Sequence, residues 1–512
     1  MKSVAAKHDA GHSPLESNNG LRKEIAPDEL EAQAANTLAD CESHAAGQFD
    51  EASVARILRK NDLCLVPSVA LIYLFCFIDR TNIGNARLAG LEEDLGLKGY
   101  DYNIVLSIFY IPYILLEIPS NMACKYFGPE RFLPFLTVCF GVCSIAVGFV
   151  KDFNSICGVR FLLGCFEGGI LPGIAYYLSR WYTRKELGLR LALYVVMAPL
   201  AGAFGGLLAS GILSLEDFGA VHSWEKIFVI EGIITCGIGV ITFFTLSNSP
   251  ATAKWLSEEE RTLATNRLKQ DHATQQGIDD KLDANKLLRA IWNPVTLASS
   301  AAFLLINITV QGVAFFTPTI VRTIYPGSTV VTQQLYTVPP YVVGAFFTVL
   351  LPYLMGRFDR RIIFYIVSMP FLILGFAIFL GTTNASARYA ALFFMASFCM
   401  PFVVFVTATV SANTVSDATR SVGIGATLMF GNCGGLVATW SYVPRDAPGF
   451  HIASSLNIAV AVAVLVISTS LLLWMMADNR KRDKAMVGLS DSWDGFQMED
   501  LEWRHPRFRW KL

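Results

Sequence analysis

Runs of about 20 apolar residues recur along most of this 512-residue chain, and they restrict its possible folds more than any other feature. Inside a bilayer the backbone must satisfy its own hydrogen bonds, so an apolar run of this length is typical of a membrane-spanning helix. The sequence predicts about twelve such helices, at Leu63–Ala86, Tyr102–Cys124, Phe132–Val150, Ser155–Leu178, Leu191–Leu213, Ile227–Leu246, Pro294–Val321, Leu335–Met355, Ile362–Leu380, Ala390–Ala412, Val422–Tyr442 and Ile452–Ala477. The predicted fold class is therefore an all-α membrane protein.

A charged segment, Ser249–Arg289, divides the runs into two groups of six. Two such groups related by a pseudo-twofold axis are a recurrent layout of secondary transporters. Within the segment, Ser257 precedes Glu260 by three residues, which is the capping box that opens an amphipathic surface helix. The predicted organisation is a largely disordered cytosolic tail at 1–60, six-helix bundles at 61–247 and 292–477, a central cytosolic loop with this helix at 248–291, and a cytosolic tail at 478–512.

Basic residues lie mainly in the loops on the same side as both tails, for example at Arg180, Arg190 and Arg357, and again in Arg480–Arg482. Because positive loops stay in the cytosol, both termini are predicted to be cytosolic, with the plasma membrane as the expected location and a vacuolar membrane as the alternative. Asn384 begins a glycosylation sequon on the predicted outer side, in a loop so short that we expect poor occupancy.

Composition excludes several functional classes. The net charge of −1 gives no reason to expect nucleic acid, and the eleven cysteines form neither CxxC pairs nor Cys/His clusters, so no metal site is expected. We find no nucleophile–base constellation and no phosphate-binding glycine loop, so we expect neither an enzyme nor a bound cofactor. The expected partners are a small molecule, a proton and the lipid bilayer, for a protein that is monomeric by analogy with its fold.

The fourth apolar run contains two charged residues, Arg160 and Glu167, which lie seven residues apart and so on nearly the same helix face. A charge at the centre of a bilayer costs about 2.5 kcal/mol or more, so such residues normally face a protein interior or an aqueous cavity. Glu167 is the leading functional candidate, because a buried carboxyl can take up and release a proton as access alternates. Arg160 could equally be structural, by pairing with a carboxylate.

Other charges in the first bundle allow two interpretations. Asp79 and Arg80 close the first span, where they could form a site or only mark a helix end that reaches the membrane interface. Glu117 shares a helix face with Tyr113, and we favour a role as an anchor of the inner gate. Glu231, in the sixth span, is expected to pair with a nearby cation.

The second bundle has no acidic residue in the middle of a span, and its polar groups there are neutral. They are Asn307, Gln311, Thr407, Thr409 and Asn432. Amides in membrane helices often join helices rather than bind ligands. Taken together, however, they suggest protonation on one side of a central cavity and neutral substrate contacts, Gln311 among them, on the other. Tyr113 and Phe315 would give that cavity an aromatic lining.

Several motifs occur in the order found in one family: Arg59–Asp62 leading into Phe77–Ala86, then Glu117–Asn121, Arg160–Gly173, Leu178–Tyr182, Ala253–Ser257, Gly431–Asn432 and Pro506–Trp510. With these motifs the chain resembles the fungal anion:cation symporters of the major facilitator superfamily, and in particular the allantoate/nicotinate permease type. The resemblance covers about residues 56–512. It implies the major facilitator fold, with about twelve helices in two six-helix bundles.

The resemblance also implies roles for individual positions. Arg80 would bind the substrate carboxylate, with Tyr113 and Asn432 lining the pocket. Asp79 and Glu167 would be the protonatable pair, and Arg160 their electrostatic partner.

The leading hypothesis for function is proton-coupled symport of a small organic anion, such as nicotinate or allantoate. Export of a secondary metabolite and a non-transporting nutrient sensor remain as alternatives. Sequence alone does not fix the direction of transport, because alternating access is reversible.

Overall fold

The computed structural model describes residues 51–216, 221, 223–276, 284–415, 417–486 and 502–512. The chain divides into two units, Met1–Arg56 and Ile57–Leu512. Residues 51–56 are the described part of the first unit, and they are helical. The disordered tail predicted for residues 1–60 therefore lies, over residues 1–50, outside the described part of the chain.

The described residues fold into long helices that we number in chain order. They are α1 Glu51–Leu88, α2 Asp101–Phe127, α3 Pro129–Val147, α4 Phe153–Glu167, α5 Ile170–Ser179, α6 Arg184–Val195, α7 Met197–Leu213, α8 Glu225–Thr245, α9 Glu258–Gln276, α10 Ala284–Ile291, α11 Pro294–Ile324, α12 Val330–Phe358, α13 Arg361–Gly381, α14 Ala385–Cys399, α15 Phe402–Ala412, α16 Asp417–Ala438 and α17 His451–Met486. Short helical turns occur at Leu91–Asp94, Pro250–Thr252, Pro444–Asp446 and Glu502–Arg504.

Within the described residues, eleven helical stretches are long and apolar enough to cross a membrane. The predicted span Val422–Tyr442 corresponds to α16, whose apolar part, Val422–Ala438, is shorter than the others. The prediction of an all-helical membrane protein is confirmed.

Two of the predicted spans are interrupted. The fourth divides into α4 and α5 at Gly168 and Gly169, and the tenth divides into α14 and α15 at Met400 and Pro401. Proline lacks the N–H that would continue the helical ladder, which accounts for the second break. Hydropathy does not report either break, because the interrupting residues are themselves apolar or small.

The same helix pairs recur in both halves of the second unit. In the first half α3 packs on α8 and α2 on α4, and the equivalent pairs in the second half are α13 with α17 and α12 with α14. The two halves meet through α7 against α12 and through α2 against α16. This repetition is the arrangement of two related helical bundles.

We call the end of the bundles at which α1 begins and α17 finishes the tail end, and the opposite end the far end. At the far end polar contacts join the two bundles. Asn103 donates a hydrogen bond to the Thr439 carbonyl at 2.5 Å, and the hydroxyls of Ser107 and Thr439 lie 2.7 Å apart. Gln334 donates to the Asn85 carbonyl at 3.2 Å. The bundles are therefore closed against each other at the far end.

At the tail end α1 is held by ion pairs beyond its apolar run. Lys60 pairs with Glu260 of α9 at 2.7 Å, and Arg190 donates two hydrogen bonds, at 2.9 and 2.7 Å, to the Asp62 carboxylate. The hydrogen bonds to the Asp62 carboxylate are the main cause that raises the pKa of Arg190, while burial acts in the opposite direction. These contacts explain why the helix extends before residue 61.

The C-terminal residues also pack on the second bundle. Trp510 and Phe508 share a buried apolar cluster with Ile362 of α13 and Met475 of α17. Trp510 also donates a hydrogen bond to Asp478 at 2.7 Å. Helix α17 consequently continues to residue 486, past the boundary at 477 that apolar composition suggests.

Candidate functional site

A cavity of about 570 Å³ lies between the two bundles. Its wall includes Arg80 of α1 and Gln311, which lies near the middle of α11, and extends to Arg361 and Ala412. Arg361 is the first residue of α13 and Ala412 the last of α15, so the cavity reaches the tail end of the bundles. Because the far end is closed, the cavity is accessible from one end only.

Arg80 is the charged residue at the centre of the site. Its Nε donates to Glu167 Oε2 at 2.7 Å, and both side chains are buried. Cys76 donates its S–H to the same carboxylate oxygen at 3.3 Å, whereas Oε1 of Glu167 has no hydrogen-bond partner. Arg80 faces the cavity, while Glu167 is not part of the cavity wall. The site therefore has a buried cation on the cavity wall, paired with a carboxylate that lies behind the wall.

Small residues on α4 explain how Glu167 comes so close to this cation. A Cβ at Gly168 would lie 2.7 Å from the Tyr113 carbonyl oxygen, and Gly164 is packed against the Phe109 backbone. Small residues at this spacing let two helix backbones approach closely. Helix α4 consequently lies against α2 and brings the carboxyl group of Glu167 to Arg80 of α1.

Aromatic rings surround the Arg80 guanidinium. Its carbon lies 4.5 Å from the centre of the Tyr113 ring and 4.9 Å from that of Phe77. Tyr73 packs edge-on against Tyr194 of α6, with ring centres 5.0 Å apart. We call Tyr73, Phe77, Tyr113 and Tyr194 the aromatic wall, since all four line the cavity. Ring faces favour a cation, so the wall stabilises Arg80 and offers flat apolar surfaces to a ligand.

The second bundle contributes neutral polar groups to the cavity. Gln311 lines it and makes no side-chain hydrogen bond to another described residue. Asn307, which also lines the cavity, donates to the Gly431 carbonyl at 2.6 Å and so joins α11 to α16. Thr407 lines the cavity, but its hydroxyl donates to its own helix. Gln311 is thus the amide with free hydrogen-bonding capacity.

Asn432 has two roles in the structure. It lines the cavity, and it donates a hydrogen bond to Glu117 Oε2 at 3.1 Å. Because Glu117 belongs to α2 and Asn432 to α16, this hydrogen bond joins the two bundles. The role of Glu117 as an anchor of the inner gate stays a prediction.

Asp79 and Arg160 lie outside the cavity wall. Ser144 donates a hydrogen bond of 2.5 Å to Asp79 Oδ1, while Oδ2 has no partner. Arg160 is buried, with Nε and Nη2 unpartnered. The described ion pair of Glu167 is with Arg80 rather than Arg160. These four charged residues thus form the Arg80–Glu167 pair at the cavity wall and a group behind it, Asp79 and Arg160.

Sequence reasoning missed part of the lining. Phe77 and Tyr73 precede Arg80 by three and seven residues, and that helical spacing could have identified them. Arg361 enters the cavity because α13 begins there, which hydropathy does not reveal. Phe315 does not line the cavity, and its ring packs on Tyr110 at 6.1 Å instead.

A chain of membrane-spanning helices in two repeated bundles, with a charged cavity between them, is a multi-pass membrane transporter. The family is shown by a model described as Major Facilitator Superfamily, which matches residues 69–439. The chain belongs to the major facilitator superfamily.

Similar proteins agree with this assignment. The chain is 30% identical over 435 residues to a high-affinity nicotinic acid transporter of Saccharomyces cerevisiae, covering 84% of this chain and 80% of the relative. It is also 30% identical over 476 residues to the major facilitator-type transporter hxnP of Emericella nidulans, covering 90% and 91%. The expected membership of a fungal permease family is confirmed, as is the expectation of a transporter rather than an enzyme.

Solved structures support the fold. A bacterial homolog of the human lysosomal transporter Spinster, solved in an inward-facing and unoccupied conformation, aligns with a TM-score of 0.59 at 17% identity. The alignment covers 82% of this chain and 96% of that chain.

Proposed function

We propose that this transporter carries a small monocarboxylate together with a proton across the plasma membrane into the cytosol. One observation supports the proposal above all others: the cation on the cavity wall, Arg80, is paired with a buried carboxylate, Glu167, at 2.7 Å. An anion in the cavity and Glu167 would compete for the same guanidinium.

This competition provides a coupling mechanism. When Glu167 takes up a proton its charge is lost, and Arg80 is then available for an anion from the cavity. Anion and proton bind together, so the first bundle keeps the same net charge as in the empty state. After both have left, the Arg80–Glu167 pair forms again. Neither ligand alone leaves the buried charges balanced, and uncompensated charges in a dry interior are costly.

The cavity lining favours a flat, aromatic carboxylate. The aromatic wall presents ring faces beside Arg80, and Gln311 offers an amide across the cavity. A heteroaromatic acid such as nicotinate would place its carboxylate on Arg80, its ring on the wall and its ring nitrogen within reach of an amide donor. The similarity to the high-affinity nicotinic acid transporter of Saccharomyces cerevisiae supports the same class, whereas allantoate lacks an aromatic ring.

The proposed orientation places the tail end in the cytosol. Basic residues at this end include Arg180, Arg190 and Arg357, which the positive-inside rule assigns to the cytosol. The conformation described here would then be open to the cytosol and closed to the outside. Both tails would be cytosolic, and the protein would act as a monomer.

Uptake of radiolabelled carboxylates into expressing cells tests the function. Nicotinate, allantoate, pantothenate and biotin are compared at acidic and neutral pH, with and without a protonophore. We expect saturable nicotinate uptake that is stronger in acid and abolished by the protonophore. Absence of uptake by protein that reaches the cell surface would instead favour export or sensing.

A pair of variants on one helix tests the role of Arg80. We expect Arg80→Ala to abolish uptake, because the anion loses its cation. Arg87 is a matched control, because it lies two turns further along α1 and outside the cavity. It pairs with Glu92 at 2.9 Å, and its guanidinium carbon lies 4.2 Å from the centre of the Tyr102 ring. Arg87→Ala should retain uptake. Near-normal uptake by a correctly localised Arg80→Ala variant would refute the assignment.

The proton role of Glu167 has a separate test. The neutral isostere Glu167→Gln should abolish accumulation against a gradient but retain exchange of labelled for unlabelled substrate. Exchange needs only that the loaded carrier reorients, whereas accumulation needs proton binding and release. A wild-type pH dependence in this variant would transfer the coupling role to Asp79.

A further inference from the structure

The structure contains a buried carboxyl group that the proposed cycle does not use. Glu231 of α8 is 2% exposed, and neither of its carboxylate oxygens has a hydrogen-bond partner in the part of the chain that the structure describes. The expected pairing with a cation is not formed in this conformation. Removing a lone carboxylate from water costs several kcal/mol, so an unpaired Glu231 must carry a proton or have access to a cation.

A candidate cation is Arg160 of α4, which interacts electrostatically with Asp79. Its guanidinium carbon lies 5.6 Å from the centre of the Phe228 ring, and Phe228 precedes Glu231 by three residues on the same face of α8. Nε and Nη2 of Arg160 have no hydrogen-bond partner. The guanidinium group of Arg160 therefore packs on the turn of α8 that carries the carboxyl group of Glu231.

A second carboxylate completes this group. Asp79 of α1 interacts electrostatically with both Arg160 and Glu231, and its Oδ2 is unpartnered. Three helices thus bring one cation and two carboxyl groups together, and Ser144 donates a hydrogen bond to Asp79 Oδ1. One guanidinium cannot neutralise two carboxylates, so the group is balanced when one carboxyl holds a proton.

Asp79 also interacts electrostatically with Arg80 and Glu167, but that guanidinium and that carboxylate form an ion pair, so the excess of one carboxyl group remains. Helix α3, which packs on α8, contributes the Cys143 thiol, and that thiol faces Asp79. Helix α7 also packs on α8 but has no titratable residue between Met197 and Leu213. On α8 itself, Lys226 donates to the Leu215 carbonyl at 2.8 Å. Within the described residues, the connected group holds three carboxyl groups, Asp79, Glu167 and Glu231, and two guanidinium groups, Arg80 and Arg160, so its charges balance when one carboxyl group holds a proton.

We propose that Glu231 is a second proton-binding site of the transport cycle, and that Arg160 pairs with either Asp79 or Glu231, whichever is charged. This inference rests on the proposed proton coupling and adds a site behind the cavity. A proton from the outer solution forms an O–H bond on Glu231, and Arg160 then pairs with Asp79. When the proton departs to the cytosol, the Glu231 carboxylate attracts Arg160. Asp79 then keeps only the hydrogen bond from Ser144 as stabilisation, or takes up the next proton.

Infrared difference spectroscopy of the purified protein in lipid tests proton binding without any substrate. Spectra in acidic and neutral buffer are compared in the carboxylic C=O stretching region. We expect Glu231→Gln to remove one band that the wild type shows, and Glu231→Asp to restore it at a shifted frequency. Glu225→Gln, one and a half turns earlier on α8, is the control and should retain the band. An unchanged spectrum in Glu231→Gln would overturn the proposal.

A flux measurement tests whether the site belongs to the cycle. Proton and nicotinate entry are recorded together in proteoliposomes, and we expect one proton fewer per nicotinate in Glu231→Gln. An unchanged ratio would overturn the coupling role even if the band is lost. If the wild type shows no proton-driven nicotinate uptake, the proposed function fails, whereas the infrared band still decides whether Glu231 binds a proton. If Glu231→Gln fails to fold, the shifted band of Glu231→Asp decides whether residue 231 binds a proton.

Discussion

Closure of the far end depends on a glycine that admits an aromatic ring from the other bundle. A Cβ at Gly435 of α16 would lie 2.5 Å from Cε1 of Tyr110 on α2, whereas ordinary contacts begin at 3.4 Å. Tyr110 is fully buried and packs edge-on against Phe109 and Phe315, so its ring has no space into which to move. We therefore expect Gly435→Ala to separate α2 from α16 by about 1 Å.

The magnitude follows from the cost of overpacking. Adding a methyl group to a tightly packed contact destabilises it by about 1–3 kcal/mol. Only the conformation with a closed far end carries this cost, so the equilibrium should shift toward the open far end by about 5- to 140-fold. Nicotinate uptake should slow, since the carrier rarely reaches the state that is open to the tail end.

Spin labels report the shift directly. Lys98, in the loop before α2, and Thr329, at the start of α12, are exposed at the far ends of the two bundles. After replacement of the native cysteines, labels at these positions should show a larger population of long distances in Gly435→Ala. Gly425→Ala is the matched control, because it lies on the same helix and a Cβ there meets nothing within 4 Å. Equal distance distributions in the wild type and Gly435→Ala would refute the reasoning, as would an equal shift in the control.

Three further variants test other parts of the structure. Arg80→Lys keeps the charge but loses the planar fork, so KM for the anion should rise about 10- to 140-fold, from the loss of about 1.5–3 kcal/mol, in an uptake assay. Trp510→Ala empties a buried site in the C-terminal cluster and should destabilise the second bundle by about 3–5 kcal/mol, seen as a lower midpoint of thermal unfolding in detergent. Asn384 caps α14 by accepting from the Ala387 amide at 3.2 Å, so Asn384→Gln should lower the unfolding midpoint without changing gel mobility; a mobility shift would show that the sequon is glycosylated.

Hydropathy was sufficient for most of the fold, because a bilayer permits few alternatives to helices of that length. It failed where the chain departs from regular apolar helix. The break at Gly168 is needed for close packing on Tyr113, and Trp510 packs on α13 and α17 from a segment whose composition reads as a polar tail. Such features depend on partners distant in sequence, which a single run of residues does not reveal.

The candidate site shows the same contrast between features that composition reveals and features that depend on packing. Glu167 was a candidate because a charge inside an apolar run is rare, whereas the role of Arg80 was implied by the resemblance to the fungal symporters; both roles stay predictions. Their pairing was not identified, since helical periodicity places Glu167 on the same face as Arg160 of its own helix. Because α4 packs against α1 and α2, Glu167 instead forms its ion pair with Arg80. Arg160 then belongs to the group behind the cavity.

Adjacent residues of α1 connect these two groups of charges. Asp79 and Arg80 differ in direction by about 100° around the helix axis, so one side chain joins the group behind the cavity while the other lines the cavity. An anion that draws Arg80 away from Glu167 acts on the same helical turn that holds Asp79 beside Arg160. If Glu231 binds a proton as proposed, a small rotation of α1 would change the balance of both groups at once. Proton binding behind the wall and anion binding in the cavity would then be coupled through a single turn of helix, without direct contact between the two ligands.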